Sequence, residues 1–470
     1  MALAIANKHW LVLGLGDTGL SLTRWLMRHG ARVRVADTRD NPPHATKLRR
    51  NFSGVDLITG AYQPSTFSGI DAIAISPGVS LRESLVAEAV DKGIPVVGDV
   101  ELFGEALAAE SIPPKVIGIT GSNGKSTVTT MVGEMCNAAG LNTVVAGNIG
   151  LPVLDALTEA EEASHADKPQ CYVLELSSFQ LETTSNLELD VATVLNLTED
   201  HLDRYNDMAH YAAAKARIFN HCRHQVLNRD DRYSVAMRMS GASISYFSNS
   251  APLGPEDFGL SSVRGESWLT HDQMPLMAVA DLPLAGGHNA ANALAALALA
   301  RAIDLPYAPA IEALRRFRGL PHRVEKVMDI GTVGFYDDSK GTNVGATVAA
   351  LNGMKEKVVL IAGGDGKGQD FSPLNNAVAK HTRAVVLIGR DAKLIETAIA
   401  TSGVALLHAK TMEEAVKLSW QASEPGDRVL LSPACASFDM FTNYAHRAQV
   451  FIDAVRALAA AQRSVSNGTV

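Results

Sequence analysis

The stretch Gly121-Ser122-Asn123-Gly124-Lys125-Ser126-Thr127 follows the apolar run KVIGIT and leads into a helical pattern, VTTMVGEM. A glycine loop between a strand and a helix turns backbone N–H groups inward. The helix N-terminus adds positive potential, so an anion is favoured there. Lys125 would reach the β- and γ-phosphates of a nucleotide, and Ser126 or Thr127 would place a hydroxyl on Mg2+. The strict pattern asks for glycine where Ile119 stands, with Gly118 one residue too early, so this is a variant phosphate loop. The competing reading is a Gly/Ser turn that merely enters a helix.

A nucleotide loop needs a metal partner. CYVLELSSFQLE supplies an apolar strand ending in Glu175, and a strand-end carboxylate beside such a loop is the usual second Mg2+ anchor. Further on, VATVLNLTEDHLDRY ends in Glu199, Asp200, His201 and Asp203. His201 could ligate a metal, contact a phosphate or be structural. Lys215, in YAAAKARIF, reads locally as a solvated helix lysine.

A second glycine loop lies at the start: Gly14-x-Gly16-x-x-Gly19, directly after HWLVL. This is the dinucleotide fingerprint, and Asp37 falls near the position of a ribose-binding acid. Taken alone it predicts a nicotinamide-dependent dehydrogenase. That reading leaves Lys125 and Glu175 without a role.

Apolar runs ending in glycine and followed by helical patterns recur through the chain: WLVLGLGDTG, KVIGITGSNGKST, KVVLIAGGDGKGQ and AVVLIGRDAKLIETAIA. The alternation predicts α/β domains with parallel sheets. Polar, proline-bearing breaks at AAESIPPKV and RFRGLPHRVE divide the chain into three domains. They span 1–104 (Rossmann-like), 105–319 (central, with the phosphate loop) and 320–470 (Rossmann-like). The segment 228–282 reads as strands without assignable chemistry, and the tail QRSVSNGTV as frayed.

With 470 residues, 47% hydrophobic and a net charge of −8, the chain lacks the basic balance of a general nucleic-acid or anionic-membrane binder. Its four cysteines, Cys136, Cys171, Cys222 and Cys435, form no Cys-x-x-Cys pair and read as reduced thiols of a cytosolic protein. The start shows no signal-peptide pattern. NAANALAALALARAI carries Asn289, Asn292 and Arg301 and suits a packed helix rather than a membrane span.

The motifs GITGSNGKSTVTTMVGEM, YVLELSSFQLE, NLTEDHLDRY, GGHNAANALAALALA, GLPHRVE, DDSKGTNVGAT, GGDGKGQDFSPL and LSPACASFDMFTNY occur in this order. Together they resemble the Mur ligases of bacterial peptidoglycan precursor synthesis, most nearly their D-glutamate-adding branch, over residues 10–451. The resemblance implies a cytoplasmic bacterial enzyme, expected to be a monomer, that uses ATP to join D-glutamate to UDP-N-acetylmuramoyl-L-alanine through an acyl phosphate. It implies Lys125 on the γ-phosphate, Ser126 and Glu175 on one Mg2+, and His201 on a second. It implies that Lys215 is carbamylated, which turns a cation into an anionic oxygen ligand.

The resemblance further implies ATP contacts from the loop 121–127 and from Asn292, Arg323 and Asp338. Thr342, Lys367, Ser437 and Tyr444 would surround D-glutamate. Lys367 also makes independent sense, because a carboxylate-bearing substrate needs a cation. Tyr444 stands where that branch carries phenylalanine, and Gly341 where alanine is more familiar. Gly14, Gly16, Thr18 and Gly19 would approach the diphosphate of the UDP-sugar, with Asp37, Thr38, Arg39 and Ser76 toward the uridine end and Asn148 on the sugar substrate. The Asp-Asn-Pro-Arg motif of the diaminopimelate-adding branch is absent. The rival classes are a nucleotide-operated switch or transport ATPase and a folylpolyglutamate-synthase-like ligase.

Overall fold

The computed structural model describes residues 4–284 and 286–467. The chain divides into two compact units. The first comprises Met1–Asn196, Ala209–Val279 and Asn292–Arg315; the second comprises Leu197–Met208, Ala280–Ala291 and Arg316–Val470.

The first unit holds two sheets. One is a five-stranded parallel sheet in the order Asp56–Thr59, Arg32–Asp37, His9–Leu13, Ala72–Ile75, Val96–Val97. Trp10 to Leu13 are fully buried, as expected of a central strand covered on both faces. The chain order reverses on either side of His9–Leu13. Ligands of open α/β sheets bind at the carboxyl ends of the strands at such a switch point.

The other sheet has nine strands. Seven are parallel, in the order Thr143–Gly147, Cys171–Glu175, Lys115–Thr120, Leu189–Val194, Cys222–Asn228, Ser243–Phe247, Phe258–Val263. Glu266–His271 and Met274–Ala278 close the sheet with antiparallel pairings. The 228–282 segment is therefore a sheet extension. The phosphate-loop strand Lys115–Thr120 lies between Cys171–Glu175 and Leu189–Val194, again at a switch point. Gly118 has a packing reason: a Cβ there would come 2.7 Å from Leu189 Cδ1 and 3.1 Å from Ile218 Cδ1.

The two sheets' layers are bonded together. In the helix Asp17–Arg28, Ser21 donates to Asp155 (2.8 Å), Arg24 pairs with the same carboxylate, and Arg28 bridges to Glu161 and Glu162. Glu101 accepts from the amides of Ser185 (2.6 Å) and Asn186 (3.0 Å). Asp99 takes a 3.4 Å bond from Gln180, and burial pushes its carboxyl up to about 6. A Cβ on Gly98 would stand 2.3 Å from Thr183 Oγ1, so the seam closes only over glycine.

The helix Gly287–Ala302 runs through both units' segments. Its residues Ala293 to Ala300 are at most 2% exposed, as a packed helix requires. Among the described residues no helix is long and apolar enough to cross a membrane. All four cysteines are free.

The second unit is built on six strands in the order Glu325–Ile330, Val333–Asp337, Arg428–Leu431, Val358–Gly363, Thr382–Ile388, Ala405–His408, parallel except for the first. The helix Tyr444–Asn467 packs Phe451, Val455 and Ala459 onto Val359, Ile361, Val386 and Val429. The helix runs on through Asn467, into the tail expected to fray; residues 468–470 lie outside the described ones.

Candidate active site

The nucleotide loop forms as the sequence leads one to expect: strand Lys115–Thr120, turn, helix Lys125–Ala138. Gly124 caps the helix at φ +84°, a left-handed conformation that favours glycine. A Cβ there would meet Asn292 Oδ1 at 2.5 Å, which brings Asn292 onto the loop. Ser122, Ser126 and Thr127 are buried. Lys125 Nζ lies back across the loop, donating to the carbonyls of Gly121 and Ser122, each at 2.9 Å. One expectation needs correction. The N–H groups of Ser122 and Asn123 do not point inward; they donate to Asn196 O (2.8 Å) and Oδ1 (2.9 Å).

Glu175 pairs in register with Ile119, so it sits at the strand end beside the loop. It is 2% exposed, and its Oε1 accepts from Asn148 Nδ2 at 2.7 Å. The backbone agrees: Asn148 N–H donates to Glu175 O at 2.8 Å, and Gly147 lies so close that a Cβ would be 2.4 Å from that oxygen. A buried hydroxyl at Ser126 and a buried carboxylate at Glu175 are hard oxygen donors, the set that suits Mg2+.

Lys215 is not a solvated helix lysine. It is 2% exposed at the end of the helix Met208–Ala216, and its ammonium donates to Gly121 O (2.9 Å) and Thr120 Oγ1 (3.2 Å). It lies 4.9 Å from the ring centre of Tyr211, whose hydroxyl is 3.3 Å from Ser122 Oγ. Lys215, Lys125, Ser126, Glu175 and Asn292 are thus gathered in the first unit. His201, Arg323 and Asp338 belong to the second.

At the first glycine loop, Gly14 (φ +85°) and Gly19 are in close contact: a Cβ on Gly19 would fall 1.8 Å from Gly14 O. Ser76 Oγ donates to the same carbonyl at 3.1 Å, joining the two strand ends that flank the switch point. Gly16 caps the following helix, with Thr18 in its first turn. Asp37 accepts from Leu15 N–H at 2.7 Å and takes the Arg39 guanidinium at both oxygens (2.8 and 2.6 Å). Burial would raise the Asp37 pKa, but Arg39 and the two amides outweigh it and hold the carboxyl below its ordinary value. Thr38 and Arg39 are exposed beside it.

In the second unit, Lys367 and Asp200 form an ion pair with side chains only 13% and 9% exposed. Asn343 Nδ2 lies 3.4 Å from the other Asp200 oxygen, and His201 N–H donates to Asp200 at 3.0 Å. His201 and Lys367 both adopt positive φ (57° and 53°). Thr342 precedes Asn343 in the loop that leads into the helix Val344–Gly353. Ser437 is buried, and Tyr444, 37% exposed, begins the last helix. Asp338 is pushed up to about 7 by burial, against the opposing effects of a 2.6 Å bond from Ser432 and the nearby Arg323.

Residues 8–98 match the family model described as Mur ligase MurD-like, N-terminal domain. Residues 119–300 match the Mur ligase middle domain, and 322–435 the Mur ligase, glutamate ligase domain. The chain belongs to the Mur ligase family. A UDP-N-acetylmuramoylalanine–D-glutamate ligase from Methylobacillus flagellatus is 57% identical, over 96% of this chain and 98% of that one. The protein of the same name from Thiobacillus denitrificans is 57% identical over 99% of each. Among solved structures, UDP-N-acetylmuramate-alanine ligase MurC from Thermotoga maritima superposes with a TM-score of 0.61 at 19% identity, covering 96% of this chain and 100% of that one; this likeness concerns the fold.

Several residues of this Mur ligase escaped sequence reasoning. Tyr211 carried no reading of its own. Asp200 was noted only as a neighbour of His201. His322 Nδ1 lies 2.6 Å from Asp337 Oδ2, a pair formed between residues 15 apart in sequence. Arg447, 1% exposed, donates to Ser339 Oγ (2.9 Å), Ser339 O (2.7 Å) and Cys435 O (3.0 Å); burial lowers its pKa to about 10. An arginine inside a helical pattern gives no local sign of such bonding. Asn196 had a signal available: it follows the strand beside the phosphate-loop strand.

Proposed function

We propose that this Mur ligase joins D-glutamate to UDP-N-acetylmuramoyl-L-alanine, driven by ATP cleavage to ADP and phosphate, in bacterial peptidoglycan precursor synthesis. The observation that carries the reading is the 57% identity, over nearly the whole of both chains, to proteins bearing that substrate pair in their names. It acts in the cytoplasm as a monomer of three domains, with seams near 104 and 319.

The first domain takes the UDP end. The glycines 14, 16 and 19 and Thr18 let the backbone approach the diphosphate, Asp37, Thr38, Arg39 and Ser76 serve the uridine, and Asn148 the sugar side. The loop 121–127 with Asn292, Arg323 and Asp338 holds ATP, and Lys125 draws charge from the γ-phosphate. The substrate carboxylate attacks that phosphorus and ADP leaves, giving an acyl phosphate. A free carboxylate is a poor acyl donor and its phosphate a good one. The D-glutamate amine, positioned by Thr342, Lys367, Ser437 and Tyr444, then attacks the carbonyl. The amide forms as phosphate departs and the amine gives up a proton. Ser126 and Glu175 would hold one Mg2+, and His201 with a carbamate on Lys215 a second; such ions would offset negative charge on the phosphoryl oxygens.

Phosphate release from ATP by the purified protein tests the proposal. Release is expected only when UDP-N-acetylmuramoyl-L-alanine and D-glutamate are both present. Release with L-glutamate and not D-glutamate would sink it. Release without any amino acid would favour a nucleotide-operated switch.

A further inference from the structure

Two of the nucleotide loop's amides are committed to one residue, one to its backbone carbonyl and one to its side chain. Ser122 N–H donates to Asn196 O at 2.8 Å and Asn123 N–H to Asn196 Oδ1 at 2.9 Å, while Asn196 Nδ2 returns a 3.0 Å bond to Asn123 O. The carboxamide therefore closes a two-bond ring with the Asn123 peptide, the reciprocal exchange that one β-strand residue makes with another. The loop is pressed onto this support. Gly121, at φ +147°, would bring a Cβ to 3.1 Å from Leu195 Cβ and 3.3 Å from both Asn196 N and O. At the end of the loop Asn292 abuts Gly124.

We infer that Asn196 is a positioning residue for the nucleotide. It turns the amides of Ser122 and Asn123 away from the anion and fixes the tip of the loop. Phosphate contact then falls to Lys125 and to the amides opening the helix Lys125–Ala138, where the helix dipole adds to each bond. A loop already held in shape binds without the cost of ordering it. Asn196 is also the last residue of its stretch in the first unit. A chain anchored there cannot slide along the loop, so the register of Gly121 to Gly124 is set from outside it. The inference rests on the nucleotide reading of this loop.

Steady-state kinetics of Asn196→Ala tests it. Loss of two neutral hydrogen bonds should raise the KM for ATP roughly tenfold. The KM for D-glutamate and for the UDP-sugar should stay within about twofold of wild type, since neither pocket uses Asn196. Asn196→Asp keeps the acceptor for Asn123 N–H. It sets an oxygen against Asn123 O and a negative charge beside the phosphates, so the KM for ATP should rise further and the rise should shrink with added salt. An unchanged KM for ATP in folded Asn196→Ala overturns the inference, as does an equal rise in all three KM values. If Asn196→Ala does not fold, an unchanged KM for ATP in Asn196→Asp overturns it equally. Lys125→Ala checks the underlying reading separately: if that variant keeps full activity, the loop is not the ATP site, whatever Asn196 does.

Discussion

Lys215 donates a 2.9 Å hydrogen bond to the carbonyl of Gly121, the first residue of the nucleotide loop, from a position almost wholly shut off from solvent. Carbamylation here would put an anion within reach of the ATP phosphates' counter-ions. Lys215→Ala should lower kcat by roughly 10²–10³-fold, the size of losing one charge-stabilising group in an active site. Formate or acetate in millimolar amounts should restore part of the rate by occupying the vacated space. Full activity in Lys215→Ala would remove the carbamate.

The Lys367–Asp200 pair separates stability from substrate binding. Lys367→Met should raise the KM for D-glutamate roughly ten- to hundredfold, the range of one charge-assisted hydrogen bond. It should also lower the melting temperature, because it leaves the Asp200 carboxylate buried without its lysine. Adding Asp200→Asn to that variant should recover much of the melting temperature and none of the D-glutamate affinity. Recovery of both would show that Lys367 acts only through the ion pair.

Asp338 titrates near 7 in the folded chain because burial disfavours its charge. Unfolded, an aspartate titrates at about 4. The folded state thus binds the extra proton between these values, and stability falls as pH rises through that window. Asp338→Asn removes the titration. Its melting temperature relative to wild type should be more favourable at pH 8 than at pH 5. A difference independent of pH would contradict the raised value.

Gly19→Ala places a methyl 1.8 Å from Gly14 O, where backbone must move. Overpacking of this kind costs about 1–3 kcal/mol. A lower melting temperature and a raised KM for the UDP-sugar are expected, with the KM for ATP little changed. An unaltered UDP-sugar KM would take the diphosphate away from this loop.

The strand–loop–helix units at both glycine loops were legible in the sequence, because glycines at fixed spacing after apolar runs are local signals; the strand orders that put them at switch points were not. Lys125, Ser126 and Glu175 could be read for the same reason. Lys215 was legible only through the family resemblance: taken locally, a lysine in an alanine-rich helix looks solvated until the helix is packed under Gly121. Asn196, Tyr211, Asp200 and Arg447 each have a partner distant in sequence, 73 residues away for Asn196 with Asn123, 89 for Tyr211 with Ser122, 108 for Arg447 with Ser339 and 167 for Asp200 with Lys367, and no short window contains both ends. Two of the loop's amides depart from the expected inward aim, because the neighbouring strand end takes them: Ser122 and Asn123 donate to Asn196.

The second unit is stitched from three stretches, of which Leu197–Met208 and Ala280–Ala291 lie inside the span of the middle-domain family match. Recombination at a single crossover near residue 316 would therefore import a foreign Lys367 and Asn343 while retaining the resident Asp200. The borders along which this chain could trade parts do not follow its linear domain map. A hybrid gene that respects the fold must exchange all three stretches as a set.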